Sequence, residues 1–195
     1  MNLQELTTEL STELRRPDMV DRLRSLVRQV VIQCHAASQF QRDLVEELVP
    51  VPSPGPVIKI TQPPRLRRLL TIAPADMYGN LVATRNPEGG FSIRSPADIM
   101  TQAGNQMVDI AYIAGPTIVV RAACAYTNLF IQYFQTPDVQ DVLTQTWIME
   151  QFPDLIKTGV RARYYQAINN PQAAGEAQLF QSDLLDLVAA FGGTN

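Results

Sequence analysis

TWIMEQFPDLIKTGVRARYYQAINNPQAAGEAQLFQSDLLDL, residues Thr146 to Leu187, reads as helix, proline restart, helix, polar break and helix. Proline is tolerated in the first turn of a helix and disrupts its interior, so Phe152-Pro153-Asp154 marks a restart rather than a continuation. Beyond it Leu155, Ile156, Gly159, Val160, Ala162 and Ala167 recur near the 3.6-residue period of a half-buried helix reaching about Ile168. Asn169-Asn170-Pro171 interrupts the pattern, with Pro171 placed to open the next helix. Leu179, Phe180, Leu184, Leu185, Leu187 and Val188 form the last apolar stripe.

The other end of the chain is also helical. Leu3, Leu6, Leu10 and Leu14 make one stripe, Arg16-Pro17-Asp18 breaks it, and Val20, Leu23, Val27, Val30, Val31 and Cys34 supply the buried face of a second helix. Asp18 and Arg22 stand at i,i+4, the spacing of a helical ion pair, while Arg24 and Arg28 repel at the same spacing.

Between these ends the pattern changes. Pro50, Pro52, Pro54 and Pro56 exclude a helix and imply an extended arm. Val57–Ile60 and Arg65–Ile72 read as strands separated by Pro63-Pro64, and Asn86–Gly90 as a turn before the alternating Phe91–Arg94. Ser95-Pro96-Ala97-Asp98 looks like a cap on one short helical turn. Met107–Ala114, Thr117–Ala122 and Tyr126–Phe134 are three antiparallel strand candidates rich in β-branched and aromatic residues. The expected fold is therefore α+β, a helical layer from residues 1–38 and 138–195 with a small antiparallel β lobe from residues 39–137, the proline arm lying at 50–56.

Composition narrows function. A hydrophobic fraction of 46% with no long apolar run excludes a membrane-spanning helix, and the polar, acidic start resembles no secretory or transit peptide. Net charge is −3 with pI near 5.2, which argues against a binder held to nucleic acid by phosphate neutralisation. Of 16 basic residues 14 are Arg, with only Lys59 and Lys157 as exceptions. Arg suits desolvated interfaces through its planar fork, and a GC-rich genome would produce the same bias.

Little in the chain suggests chemistry. Cys34 and Cys124 lack metal-ligand spacing and read as thiols in a reducing compartment. His35 adjoins Cys34, but neighbouring helical positions point about 100° apart, so the pair does not make a nucleophile and base. Asp138 and Asp141 fit a helix start better than a metal site. Glu88-Gly89-Gly90 is a turn, not a phosphate loop. No catalytic, cofactor or metal residues are assigned.

Interaction candidates remain. Arg65, Arg67 and Arg68 form the densest basic cluster, and strand alternation would put Arg65 and Arg67 on one face and Arg68 on the other. They read either as a charge-protected sheet edge or as contacts to an acidic partner or DNA backbone. Arg161 and Arg163 face different directions, leaving at least one for solvent or a partner. Trp147 reads as core. Phe191 precedes flexible glycines and either frays or anchors a tail on a partner.

In its order of parts the chain resembles the head–tail adaptor (connector) proteins of short-tailed bacteriophages. The resemblance runs through Phe40-Gln41-Arg42-Asp43-Leu44, Pro63-Pro64-Arg65-Leu66-Arg67-Arg68-Leu69, Asp109–Pro116 and the aromatic-Pro-Asp-Leu stretch Phe152–Gly159, followed by the Asn-Asn-Pro break and a closing helix. The chain departs from the family's pattern in its proline-rich arm and at Arg161 and Arg163, where smaller or apolar residues are expected. The resemblance implies a non-catalytic virion neck protein without cofactor or membrane contact, made in the host cytoplasm. It would form a ring of about twelve copies, bind the portal protein on one side and tail or nozzle proteins on the other, and let DNA pass through the lumen without specific binding. The arm and the tail from Phe191 would order on assembly. Two other classes fit the residues alone: a small regulatory or nucleic-acid-binding module using Arg65, Arg67 and Arg68, and a hydrolase around Cys34 and His35.

Overall fold

The computed structural model describes residues 1–84, 89–101 and 108–192. The fold is α+β and divides into two compact units, one of Met1–Asp43 with Thr136–Asn195 and one of Leu44–Gln135. Each has its own core.

The helical unit begins at α1 (Leu3–Glu13). Asn2 caps it reciprocally: its side chain accepts from the Glu5 amide at 2.8 Å, and Glu5 accepts from the Asn2 amide at 2.9 Å. Pro17 opens a single 3-10 turn, Pro17–Met19, and α2 follows (Val20–Ala36). The pairing of Asp18 with Arg22 expected from spacing does not form. Asp18 lies outside the α-helix and takes the Arg16 fork instead, at 2.9 and 2.8 Å. Arg24 turns to Asp21 at 2.8 Å, and Arg28 donates to the Gln140 carbonyl at 2.6 Å, which separates these two like charges.

At the other end of the chain α4 (Trp147–Gln151) stops at Phe152, and Pro153 opens α5 (Pro153–Ala167), the expected restart. The last helix, α6 (Ala173–Phe191), begins two residues after Pro171, which sits in the preceding turn rather than in the helix. Asp138 and Asp141 also belong to turns, not to a helix start: their carboxylates accept from the Gln140 and Leu143 amides at 3.1 and 2.9 Å. The core joins Leu6 and Leu10 of α1, Leu23 and Val27 of α2, Ile148 of α4 and Ile156 of α5, all inaccessible to solvent. Each such side chain is worth about 2 kcal/mol in area removed from water. Phe40, equally buried, joins this core, so the helical unit extends past residue 38 to Asp43.

The β unit contains two sheets where one antiparallel lobe was expected. In the first, β1 (Leu44–Pro50) and β3 (Leu66–Ala75) flank β7 (Asn128–Gln135), all antiparallel. The second has the order β2 (Val57–Thr61), β6 (Thr117–Arg121), β5 (Ile110–Ala114), β4 (Ser92–Ile93), and its β4–β5 pair is parallel. Gly115 at φ +59 makes the tight β5–β6 turn. Ile58, Ile72, Ile118, Leu129 and Ile131 are the buried centre. The proline arm is the link between β1 and β2, held at both ends: Val51 donates to the Thr127 carbonyl at 2.8 Å and Ala122 to that of Pro56 at 2.9 Å. The short helix α3 (Pro96–Thr101) carries the expected cap, with Ser95 and Asp98 exchanging bonds at 3.2 and 3.3 Å. Asn86, Pro87, Glu88 and Met107 lie outside the described residues, as does the tail beyond Gly192. Among the described residues no helix is long and apolar enough to cross a membrane.

Candidate interaction surfaces

The basic strand of the β unit does not alternate as its sequence suggests. Arg65 adopts φ +60 directly after Pro63-Pro64 and precedes the strand. A bulge then inserts Arg67 between Leu66, opposite Gln135, and Arg68, opposite Phe134. The Arg67 guanidinium folds back over the Phe134 ring, 5.8 Å from its centre. Arg68 stays exposed on this edge strand, two residues before Leu70, whose side chain is 41% exposed. Nearby, burial and the Glu47 carboxylate, which accepts from the Tyr133 hydroxyl at 3.3 Å, push that phenol's pKa up against an opposing effect of Arg65.

Beyond the far end of β3 the chain makes a tip without a sequence-based assignment. Asp76 accepts from the Tyr78 amide at 2.8 Å, the Asn80 amide at 2.9 Å and the Asn80 side-chain amide at 2.8 Å, while Gly79 takes φ +85. These bonds, the Asn80 side chain foremost, hold the Asp76 carboxyl below the ordinary carboxylate range. The turn presents Met77 and Tyr78 to solvent at 72% and 81% exposure, and Leu81 follows at 58%.

In the helical unit both arginines flagged in the C-terminal region are engaged within the unit. Arg161 donates to Glu176 at 3.1 Å and to Thr158 at 3.2 Å and lies 3.5 Å from Glu13. Arg163 donates to Gln29 at 2.9 Å and Gln33 at 2.5 Å, both on α2. They do point to opposite sides of α5, as expected, but each ties α5 to a neighbour instead of waiting for a partner. Lys157, buried beside them, is an ion pair with Glu9; burial alone would lower its pKa, and Glu9, Glu13 and Asp154 raise it.

Phe191 likewise docks on its own unit. Its ring centre lies 5.5 Å from that of Phe152 and 5.9 Å from that of Trp147, and the Arg42 guanidinium covers Trp147 and Phe191 at 5.3 and 5.9 Å. Trp147 is half-buried, packed against the core from its margin. Its indole N–H donates to Asp43 at 2.9 Å, and the same carboxylate receives His35 Nδ1 at 2.9 and 3.0 Å. His35 is thus buried within a hydrogen-bonded group with Asp43 and Trp147. Cys34 is fully buried, and burial pushes its thiol up to about 12. Both cysteines are free.

Beside this aromatic group, the first turn of α5 and the last turns of α6 form a groove of about 420 Å³. Phe152, Leu155, Leu187 and Phe191 supply apolar lining, and Asp154, Asp183 and Asp186 supply carboxylates. Among the described residues no group of three or more acidic, His or Cys side chains could hold a metal ion. Of these contact residues, Met77 and Tyr78 had a signal in the sequence, the Asp76…Gly79-Asn80 turn. The Asp43–Trp147 bond had none, its partners being 104 residues apart.

No protein-family model matches this chain, and no curated protein matches it.

Proposed function

We propose that the protein is a structural subunit of a phage neck: a ring of about twelve copies between the portal and the tail or nozzle proteins, through which DNA passes. The carrying observation is the tip at Met77-Tyr78. Two large apolar side chains are held almost fully in water by a turn that Asp76 stiffens, an arrangement that serves docking and no internal packing. Pre-ordering such a tip lowers the entropy cost of association. The order of sequence features shared with head–tail adaptors supports the same reading, as does an acidic chain that gives passing DNA little to hold.

Native mass and negative-stain imaging of the purified protein, alone and with a portal protein, test this. Rings, free or on the portal, are the expected result. A monomer that ignores the portal and binds DNA with a steep salt dependence would replace it with the nucleic-acid-binding reading.

A further inference from the structure

The two units differ in charge sign. The helical unit carries nine basic and thirteen acidic side chains, the β unit seven and six. The helical excess is concentrated at its C-terminal end. Helix α6 has three acidic residues and no basic one, and Asp183 and Asp186 stand one turn apart at i,i+3, where like charges repel. Among the described residues neither has an ion-pair partner, although Glu176 on the same helix has Arg161. Both line the groove together with Asp154, while Phe152, Leu155, Leu187 and Phe191 supply its apolar walls. A groove of this kind fits a partner segment that brings a cation and an aliphatic side chain together.

The chain contains such a segment. On the edge strand β3, exposed Arg68 has no ion-pair partner among the described residues, and Leu70 is exposed two positions along. Leu70 is the extra residue of a second bulge, between Leu69 opposite Tyr133 and Thr71 opposite Gln132, and Arg68 and Leu70 flank the buried Leu69 as the exposed pair of this edge.

We propose that the Asp183–Asp186 groove of one copy receives the Arg68–Leu70 edge of a second copy. Arg68 meets the two carboxylates, and Leu70 packs toward Leu187 and Phe191. The contact joins different surfaces of the two copies, and such a heterologous contact repeats around a ring when its rotation closes. It rests on the ring reading above and assigns that ring its subunit interface.

Charge exchange in the full-length chain tests the contact. Arg68→Glu alone, and Asp183→Arg with Asp186→Arg, should each lower the assembled fraction at least tenfold by native mass, with circular dichroism unchanged. The three substitutions combined in one chain should restore assembly. Added salt should weaken the wild-type assembly. If wild-type rings form and the separate charge reversals leave them intact, or if the combined chain is not rescued, the contact is wrong and the ring reading stands. If the wild-type chain forms no multimer alone or on a portal protein, both fall. If Arg68→Glu changes only DNA retention, the edge strand serves nucleic acid and the contact is overturned.

Discussion

Asp43 holds His35 and Trp147 together: its carboxylate receives the imidazole Nδ1 at 2.9 and 3.0 Å and the indole N–H at 2.9 Å, with His35 only 2% exposed. The bonds connect the end of α2, the segment leaving the helical unit and the start of α4. Removing one partner from a buried hydrogen-bonded network leaves the others short of a partner. Asp43→Ala should therefore cost about 2–3 kcal/mol by urea unfolding, with Trp147 fluorescence shifted to the red. A loss under 1 kcal/mol would mean that water replaces the carboxylate at little cost.

Gly159 and Gly175 give opposite outcomes to one substitution. A Cβ at Gly159 would meet Phe180 at 2.7 Å and Val30 at 2.8 Å, where α5 packs between α2 and α6. Replacing glycine by alanine inside a helix gains about 1 kcal/mol in propensity, and overpacking a core costs about 1–3 kcal/mol. Crowding wins at Gly159, so Gly159→Ala should destabilise by about 1–2 kcal/mol. At Gly175, on α6, nothing lies within 4 Å, and Gly175→Ala should stabilise by about 0.5–1 kcal/mol. Paired denaturant melts check both signs, and a stabilising Gly159→Ala would show that Phe180 yields freely.

The long helices are legible in the sequence because Leu3, Leu6 and Leu10, and Leu155, Ile156 and Val160, repeat at helical spacing, and Pro153 marks its own boundary. Strand β1 is not. Leu44-Val45-Glu46-Glu47-Leu48-Val49 runs in pairs, because this edge strand is half-exposed on both faces and has no strict alternation to show. Nor is the Arg67 bulge legible, since register is set by the partner strand and not by local residues. Of the basic cluster read from the sequence, Arg68 is exposed on the edge strand while Arg67 folds over Phe134. The contacts that engage Arg161, Arg163 and Phe191 within the unit come from Glu13, Gln29 and Trp147 on distant segments. Long-range pairing of this kind leaves no local trace.

Cys34 and Cys124 should separate cleanly in thiol labelling. Cys124 is exposed, and Cys34 is buried with its thiol pushed up to about 12. One thiol per chain should react promptly at pH 8, and the second only at the rate of unfolding. The raised value also has a stability consequence. An unfolded thiol ionises near 8.5, so between that value and about 12 the unfolded state has lost a proton that the folded state keeps. Stability should be unaffected by Cys34 below pH 8 and should fall as pH rises, by at most about 1.4 kcal/mol per pH unit. Cys34→Ala should lose that slope relative to wild type; an unchanged slope would assign it to other groups.

Asp76 should control the tip that carries Met77 and Tyr78. Three donors converge on its carboxylate, and because they favour the charged form its pKa is depressed. A depressed carboxylate supports the folded tip at pH above the unfolded value, about 3.9, and that support is lost as pH falls through the lower folded value. In an NMR titration the Tyr78 and Asn80 amides should therefore move together, with a midpoint below 3.9. Asp76→Ala removes the acceptor at all pH values. It should leave global stability nearly unchanged, since the group is exposed, and should raise the rate of chymotrypsin cleavage after Tyr78 several-fold. Equal cleavage in wild type and variant would mean that Gly79 and the neighbouring backbone bonds hold the tip without Asp76.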